Sequence, residues 1–376
     1  MTDNKRIIFL DWLRVFACFM VILVHCIEPF YLGGAGTHIE SARDGLWVTL
    51  LGSALRSCVP LFVFISGYLL LPVRMSTLEF IKKRFFRVAV PLIIWVILYA
   101  VIPQPGSAFS WNDTVDHLTE STLNFPSPGG HLWFVYMILG VYAMMPIISP
   151  WLDRISKSTE EAFLVIWIFT TILPFFRILS SYIGGLPEVW GEANWNRFGT
   201  FYYISGFLGY AIAGHYVRRW DEAPSKKAFF YGGIPMIVLG YAISSLWFWY
   251  TMPGDFPIDR PIGLAVRMET GWGFCSLGTT LITAGIILLF KNINSTGAFY
   301  RHVIAPVAKL SYGMYLMHMF ILNFFFPLIR DGLMGLYDLK TYPALVMLLS
   351  AVVTFTVSAL VCKLISYLPG SKYITG

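Results

Sequence analysis

The fold class is decided by residues 6–25, which read RIIFLDWLRVFACFMVILVH. This stretch is apolar and long enough to cross the core of a bilayer, yet it contains Asp11, Arg14 and His25. Ionisable side chains are costly inside a membrane, so they usually face the protein interior or a water-filled cavity. Arg14 and His25 are eleven residues apart. That spacing places both on one helix face, roughly 16 Å apart along the axis.

The composition extends this conclusion to the whole chain. Of its 376 residues, 57% are hydrophobic and 13% are charged, whereas an ordinary globular domain has about 25% charged residues. The mean hydropathy is +0.66. These values exclude a soluble globular protein and predict an all-α, polytopic membrane protein.

Apolar runs of bilayer-spanning length predict about ten transmembrane helices. We expect them at 7–27, 46–71, 88–102, 131–148, 161–180, 198–217, 229–250, 271–290, 309–328 and 343–366. Every loop between them is shorter than the roughly 40–50 residues that a chain usually needs to fold alone. Residues 1–376 are therefore expected to form a single transmembrane domain, with no appended soluble domain.

The distribution of basic residues predicts the orientation. With the N-terminus in the cytoplasm, most Lys and Arg residues fall in cytoplasmic segments, including the run from Lys82 to Arg87, as the positive-inside rule requires. We expect both termini to be cytoplasmic, and we attribute the net charge of +6 to loop placement rather than to nucleic-acid binding. The five cysteines have no CxxC spacing and are expected to be buried thiols.

Two acidic residues can pair with the basic side chains of the first helix. Asp11 is three residues before Arg14 and can pair with it on the same face, and Glu28 is three residues after His25 and can orient the imidazole. The alternative is an Arg–Asp pair that extends to the inner membrane surface, together with a histidine that only packs.

The second basic cluster leads into the third predicted helix. Arg84 and Arg87 are three residues apart and share a face if this segment is helical. Two guanidinium groups on one face suit phosphate groups, which they bind through bidentate hydrogen bonds. The alternative is an ordinary cluster that contacts anionic lipid headgroups.

The second predicted helix contains Arg56 at mid-depth, followed by Ser66, Gly67 and Tyr68 near its end. An arginine inside the membrane needs an acidic or carbonyl partner, or water. Gly67 permits the close approach of a ligand or, equally, of a packed helix. We include Arg56, Ser66 and Tyr68 among the candidate pocket residues.

Polar residues also mark the fourth and ninth predicted helices. His131 and Trp133 open the fourth helix, where an interfacial aromatic belt would also place them. Ser311, Tyr315 and His318 share one face of the ninth helix, as a pocket lining or as hydrogen bonds between helices. The seven histidines are too scattered for a metal site, and we predict no metal and no tightly bound cofactor.

Several of these segments together are similar to a known family. Leu10–Arg14 with His25 resembles the Arg-x10-His motif that opens the membrane-bound acyltransferase-3 family. Arg84-x-x-Arg87 matches its second motif, and Pro60–Tyr68, His131–Phe134 and Ser311–His318 resemble its later patterns. The similar segments occur in the expected order from residue 6 to about residue 320, and we expect none of the C-terminal extracytoplasmic esterase-like domain that longer members carry.

The resemblance implies an enzyme that moves an acyl group, usually acetyl, from cytoplasmic acyl-CoA to a hydroxyl of a cell-surface polysaccharide or its lipid-linked precursor. It implies that His25 is catalytic, with Glu28 beside it, and that Arg14, Arg84 and Arg87 lie near the acyl-CoA. Asp11, Arg56, Ser66, Tyr68, His131, Trp133, Tyr315 and His318 are the pocket candidates. The expected location is a bacterial inner membrane, and no nucleic acid is expected as a partner.

Sequence reasoning leaves other functions and mechanisms open. A transporter for a polysaccharide or small solute explains ten helices and buried charge equally well, and a membrane scaffold or sensor is a third hypothesis. For the enzyme, His25 can act as a general base or can itself carry the acyl group.

Overall fold

Helices account for almost all of the regular structure. The computed structural model describes residues 6–33, 36–121, 127–175, 206–220, 223–336 and 342–376. Within these residues, nine helical segments are long and apolar enough to cross a membrane. The predicted all-α, polytopic class is confirmed.

The helices are numbered in chain order. They are α1 (Ile8–Ile27), α2 (Ala42–Leu55), α3 (Cys58–Leu70), α4 (Thr77–Val101), α5 (Trp111–Glu120), α6 (Trp133–Arg154), α7 (Lys157–Thr170), α8 (Leu208–Trp220), α9 (Lys226–Thr251), α10 (Gly263–Met268), α11 (Leu277–Phe290), α12 (Ala305–Leu336), α13 (Pro343–Ile365) and α14 (Lys372–Thr375). Tighter or wider turns occur at Glu28–Phe30, Ile81–Phe85, Ser127–Leu132, Phe229–Gly233, Glu269–Trp272 and Tyr300–Ile304.

Serine side chains fix the start of several helices. A serine just before the first helical turn accepts a hydrogen bond from a backbone N–H that has no partner inside the helix. Ser41, Ser76, Ser110, Ser156 and Ser225 do this before α2, α4, α5, α7 and α9. Each such cap contributes about 1 kcal/mol to helix stability.

Prolines fix the end of α1 and the interruption between α2 and α3. Pro29 has no N–H to donate to the carbonyl of His25 four residues earlier, so α1 ends at Ile27 and is followed by the tighter turn Glu28–Phe30. Pro60 likewise cannot donate to the carbonyl of Arg56, and regular helix stops at Arg56 and restarts at Cys58. Both proline-determined ends lie beside candidate site residues.

A small antiparallel sheet follows α1. Its strands β1 (Leu32–Gly33), β2 (Gly36–Ile39) and β3 (Ile258–Pro261) occur in the order β1-β2-β3. The Thr37 hydroxyl donates to the carbonyl of Pro261 at 3.2 Å and accepts from the N–H of Ala265 at 2.9 Å. The sheet thus fixes the segment after α1 against the segment that enters α10.

The chain divides into two compact units. Unit 1 comprises Met1–Leu71 and Trp151–Gly297, and unit 2 comprises Pro72–Pro150 and Ala298–Gly376. Within unit 1, α1 contacts α2, α3 and α11, and α3 lies along α8. Within unit 2, α12 contacts α4 and α13.

Several predicted helix bounds were wrong. The second predicted span, 46–71, is two helices, and the third starts at Thr77 rather than 88 because the basic run 82–87 is helical. The predicted loop 103–130 contains α5, and the span predicted at 271–290 starts as α11 at Leu277. The parts 176–180 and 198–205 of the fifth and sixth spans lie outside the described residues.

Candidate active site

His25 and Glu28 form a close pair at the end of α1. The Nδ1 atom of His25 lies 2.7 Å from Oε2 of Glu28. Because a carboxylate only accepts hydrogen bonds, Nδ1 carries the hydrogen and Nε2 carries the lone pair. Only 15% of the His25 side chain is exposed, against 28% for Glu28. The contact predicted from their three-residue spacing is present, and it selects the tautomer of the imidazole.

The cation at the other end of α1 is also paired. Arg14 Nη1 lies 3.7 Å from Oδ1 of Asp11, as the spacing predicts, but Arg6 approaches the same carboxylate more closely, at 2.9 Å. Asp11 is buried, whereas Arg14 is half-exposed. Since α1 is a continuous α-helix from Ile8 to Ile27, Arg14 and His25 keep the shared face that their spacing predicts.

Arg56 has an acidic partner that the sequence did not identify. Its Nη2 atom donates to Tyr31 Oη at 2.7 Å and to Glu269 Oε1 at 3.1 Å, and Tyr31 donates to the same Glu269 oxygen at 2.5 Å. Burial raises the pKa of Tyr31 well above its ordinary value, so the phenol keeps the proton that it donates. We call His25, Glu28, Tyr31, Arg56 and Glu269 the His25 cluster.

An aromatic platform supports Arg56. Its guanidinium carbon lies 5.2 Å from the ring centroid of Trp272, within the range of a cation–π interaction. Trp272 stacks on Phe248 at 4.0 Å, and its indole N–H donates to Ser53 Oγ at 2.9 Å. The platform is fully buried, so it restricts the orientation of Arg56.

Of the residues predicted near the end of α3, Gly67 has a packing role in this structure. A Cβ atom at Gly67 would overlap the backbone of Ala211 on α8, so this glycine serves helix packing rather than ligand approach. Tyr68 makes an edge contact with Phe9 at 5.5 Å between ring centroids, and Ser66 is half-buried.

The candidates in unit 2 form a second buried cluster. The rings of His131 and His318 meet edge to face with centroids 4.9 Å apart. His318 Nδ1 lies 2.6 Å from the carbonyl oxygen of Tyr315, whose own hydroxyl donates to the carbonyl of His131. Tyr99 makes an edge contact with His131 at 5.1 Å. We call Tyr99, His131, Tyr315 and His318 the paired-histidine cluster. Trp133 follows His131 by two residues, and its ring is edge-on to that of Phe134.

The two arginines of the second motif lie on α4 of unit 2. Arg84 is half-buried in the π-helical turn Ile81–Phe85, and Arg87 is exposed just after it. Among the described residues, neither guanidinium has a carboxylate or hydrogen-bond partner. Two cations in this state can accept an external anion.

No metal-binding group is found within the described ranges. There, no three His, Cys, Asp or Glu side chains come close enough to hold an ion.

Comparison with known families gives the class of the protein. The acyltransferase-3 family model, described as an acyltransferase domain, matches residues 7–363. The chain belongs to this family of membrane acyltransferases. No curated protein and no solved structure gives a significant match. The family and the apolar helices together make the chain a multi-pass membrane acyltransferase.

Sequence reasoning missed two members of the acyltransferase's His25 cluster, Tyr31 and Glu269. Glu269 is remote in sequence from Arg56, but it left a signal: with Arg267, it is one of only two charged residues in the apolar segment 263–290. The predicted span began at 271 and so placed Glu269 in a loop. Tyr31 left no signal, because a tyrosine beside a membrane surface is ordinary.

Proposed function

We propose that the protein is an acyl-CoA-dependent O-acyltransferase of a bacterial inner membrane. Its donor is cytoplasmic acyl-CoA, most simply acetyl-CoA, which acts as a substrate and not as a bound cofactor. Its acceptor is a hydroxyl of a cell-surface polysaccharide or of the lipid-linked precursor. The acyltransferase family supports the reaction class, and the chemistry of the site supports the finer assignment.

The observation that carries the proposal is the His25–Glu28 pair. An imidazole whose Nδ1 hydrogen is directed at a carboxylate presents its Nε2 lone pair as a base near neutral pH. Glu28 then stabilises the imidazolium that forms when His25 accepts a proton, as the carboxylate does in a Ser-His-Asp triad.

The step balances with His25 as general base. Nε2 takes the proton of the acceptor hydroxyl while the hydroxyl oxygen attacks the thioester carbonyl carbon. This gives a tetrahedral intermediate. The C–S bond breaks as the carbonyl re-forms, and the imidazolium returns the proton to the CoA thiolate. The products are the ester and free CoA. In the alternative route, Nε2 attacks the thioester first, and the C–S bond breaks to release CoA as its thiolate. The acceptor hydroxyl then attacks the acyl group on His25, the C–N bond breaks to free the imidazole, and the hydroxyl proton passes to the CoA thiolate.

Three arginines support CoA as the donor. CoA carries several phosphate charges, and guanidinium groups bind phosphate through paired, charge-assisted hydrogen bonds. Arg84 and Arg87 have no partner among the described residues. Arg14 lies on the His25 face of α1, which suits a long, thin substrate arm that runs along this helix. In this proposal, Arg84 and Arg87 bind phosphate groups of CoA, and a role for Arg14 in donor binding is a separate expectation from its place on α1.

Transfer of label from acetyl-CoA tests the proposal. Radiolabelled acetyl-CoA is added to inside-out vesicles from a bacterium that expresses the protein, and label is counted in the lipid-linked sugar and polysaccharide fractions. We expect wild type to transfer label and His25→Ala to lose about 10³-fold, within the usual range for a general base. His302→Ala is the matched control, because it removes an exposed imidazole on a different helical segment.

Two outcomes contradict the proposal. His25→Ala with the wild-type rate of transfer would show that His25 is not the reacting base. A second outcome is a folded wild-type protein that does not bind CoA in calorimetry and does not release free CoA thiol from acetyl-CoA. This result would exclude acyl-CoA as the donor and favour a transporter.

A further inference from the structure

One guanidinium in the His25 cluster acts on two carboxylates, on Glu269 by direct contact and on Glu28 through its charge. Glu269 Oε1 contacts Arg56 at 3.1 Å, and the Arg56 charge also acts on Glu28, which is itself 2.7 Å from His25. Glu269 and Arg56 are in contact, and so are Glu28 and His25. The charge of Arg56 links the two pairs electrostatically, because it acts on Glu28.

Several contacts fix the position of the Arg56 guanidinium, so its charge acts on Glu28 from a defined place. Arg56 lies at the helix interruption that Pro60 imposes, above the buried ring of Trp272. Its Nη2 hydrogen bonds to Tyr31 and Glu269 close a ring of three side chains. Only 11% of its side chain is exposed, so solvent screens its charge weakly.

The charge balance of the cluster depends on His25. While the imidazole is neutral, two carboxylates and one guanidinium leave one net negative charge. When His25 accepts a proton, the cluster becomes neutral. In a partly buried site, the net negative charge of the cluster attracts a proton to His25. The cluster therefore favours the imidazolium that the proposed reaction must form.

Among the described residues, the elements packed against α1 contribute few other titratable groups near the cluster. The neighbouring elements contribute the thiols of Cys26 on α1 and Cys58 on α3, and α11 contains no titratable side chain. Arg43 and Asp44 lie at the start of α2, at the opposite end of that helix from Arg56. Glu28 is in direct contact with His25, and Arg56 and Glu269 affect the imidazole through Glu28.

We infer that Glu269 is a positioning residue of the transfer reaction: it balances the charge of Arg56, so that Glu28 remains available to stabilise protonated His25. The inference rests on the proposed function, because it assumes that His25 accepts a proton during transfer. Glu269 touches no reacting atom in this scheme. Its effect reaches the imidazole through Arg56 and Glu28.

The inference predicts opposite effects of two neutralising substitutions. Glu269→Gln removes a negative charge, so His25 releases its proton more readily, and the pH of half-maximal transfer falls by about one unit. Arg56→Gln removes a positive charge and should move the same midpoint to higher pH. A structural role alone would lower the melting temperature of both variants without moving the midpoints in opposite directions.

The experiment is a pH–rate profile of acetyl transfer by purified protein in lipid nanodiscs, with acetyl-CoA as donor and membrane glycolipid as acceptor. At a saturating donor concentration and neutral pH, Glu269→Gln should lower kcat about tenfold, with the KM for acetyl-CoA unchanged. Glu269→Asp keeps the charge and should restore the wild-type midpoint. Tyr31→Phe removes a hydrogen bond without changing charge and should shift the midpoint less than Glu269→Gln.

Asp255→Asn is the matched control. It removes an exposed carboxylate that pairs with Arg260 at 3.1 Å outside the cluster, and we expect a wild-type profile. If Glu269→Gln fails to fold, the opposite shift in Arg56→Gln and the smaller shift in Tyr31→Phe still decide the question. Wild-type midpoints in the folded variants, with His25→Ala inactive, would overturn the inference alone. A fully active His25→Ala would overturn the proposed function itself.

Discussion

The two histidine clusters differ in the partners that surround their imidazoles. In the His25 cluster, the imidazole contacts a carboxylate that belongs to a series of charged side chains. In the paired-histidine cluster, His318 contacts a neutral main-chain carbonyl, and aromatic rings surround both imidazoles. A carboxylate stabilises an imidazolium, whereas a neutral carbonyl mainly fixes the orientation and tautomer of a ring. Under the proposed function, we therefore expect proton transfer at the His25 cluster and a packing role for the paired-histidine cluster.

The largest effect should separate the two clusters directly. We expect His25→Gln to lower kcat for acetyl transfer by about 10³-fold with little change in melting temperature, because the base is lost from a partly exposed position. His318→Gln should lower the melting temperature, because His318 is fully buried, and should lower the rate per folded molecule less than tenfold. The measurements are kcat and thermal unfolding of the same preparations.

Similar values of kcat for folded His25→Gln and His318→Gln would contradict the expected difference between the two clusters. A folded His318→Gln protein with an unchanged melting temperature and a loss of about 10³-fold would place proton transfer in unit 2 as well.

The next effect concerns the carboxylate that distinguishes the clusters. Glu28→Gln places an amide beside Nδ1 of His25. The neutral amide cannot stabilise an imidazolium as a carboxylate does, and its NH2 group can favour the tautomer in which Nδ1 carries the lone pair. We expect kcat to fall about 10²-fold, by analogy with outer partners of functional histidines. Glu28→Asp should retain part of the rate.

Glu40→Gln is the control for this substitution. Glu40 is an exposed carboxylate 3.5 Å from another histidine, His38, and its loss should leave kcat unchanged. Equal rates for Glu28→Gln and wild type would show that the contact with His25 is structural.

The amphipathic and apolar patterns were sufficient to predict the class of fold, but not the helix ends. The predicted starts at 46, 88 and 161 came from apolarity, whereas the helices start earlier, at Ala42, Thr77 and Lys157. The signal for these starts was present, since Ser41, Ser76 and Ser156 each precede a helix as a cap. Pro60 likewise indicated the interruption at Arg56, because its carbonyl partner four residues earlier could be counted from the sequence.

The candidate site shows a sharper limit. The His25–Glu28 contact was predictable, because both residues lie within one helical turn. The need of Arg56 for an acidic partner was also predictable from the cost of an unpaired charge. The identity of that partner was not, since Glu269 reaches Arg56 only through the fold of unit 1, and no local spacing encodes a contact between such distant segments. His131 and His318 were likewise predicted in two separate patterns, because their contact also joins segments that are distant in sequence.

A stability prediction contrasts glycines in the two units. Gly67→Ala should destabilise unit 1 by about 1–3 kcal/mol, because the new Cβ would overlap the backbone of Ala211. Gly140→Ala on α6 in unit 2 is the control. No heavy atom lies within 4 Å of a Cβ placed there, so the higher helix propensity of alanine should leave stability unchanged or raise it by up to about 1 kcal/mol. Thermal unfolding in detergent measures both, and equal melting temperatures for the two variants would show that α3 and α8 can separate without cost.

The smallest expected effect involves a histidine–carboxylate pair outside the membrane-spanning helices, between strands β2 and β3. His38 Nδ1 lies 2.6 Å from Oδ1 of Asp259, and this hydrogen bond raises the pKa of His38 above its ordinary value. A raised pKa in the folded state means that the pair contributes fully below about pH 6.5, the ordinary value for histidine, and that its contribution is lost as the pH rises through the raised pKa.

Asp259→Asn should therefore lower the melting temperature slightly in acid and have no effect at high pH. The difference from wild type should be largest below about pH 6.5 and should disappear above the raised pKa, where His38 is neutral in both proteins. It should remain small, because 39% of the His38 side chain and 72% of the Asp259 side chain are exposed. A difference that is constant across the pH range would instead show that Asp259 supports the sheet through its shape. In that case the His38–Asp259 contact would differ from the His25–Glu28 contact, to which we assign an electrostatic role in the proposed reaction.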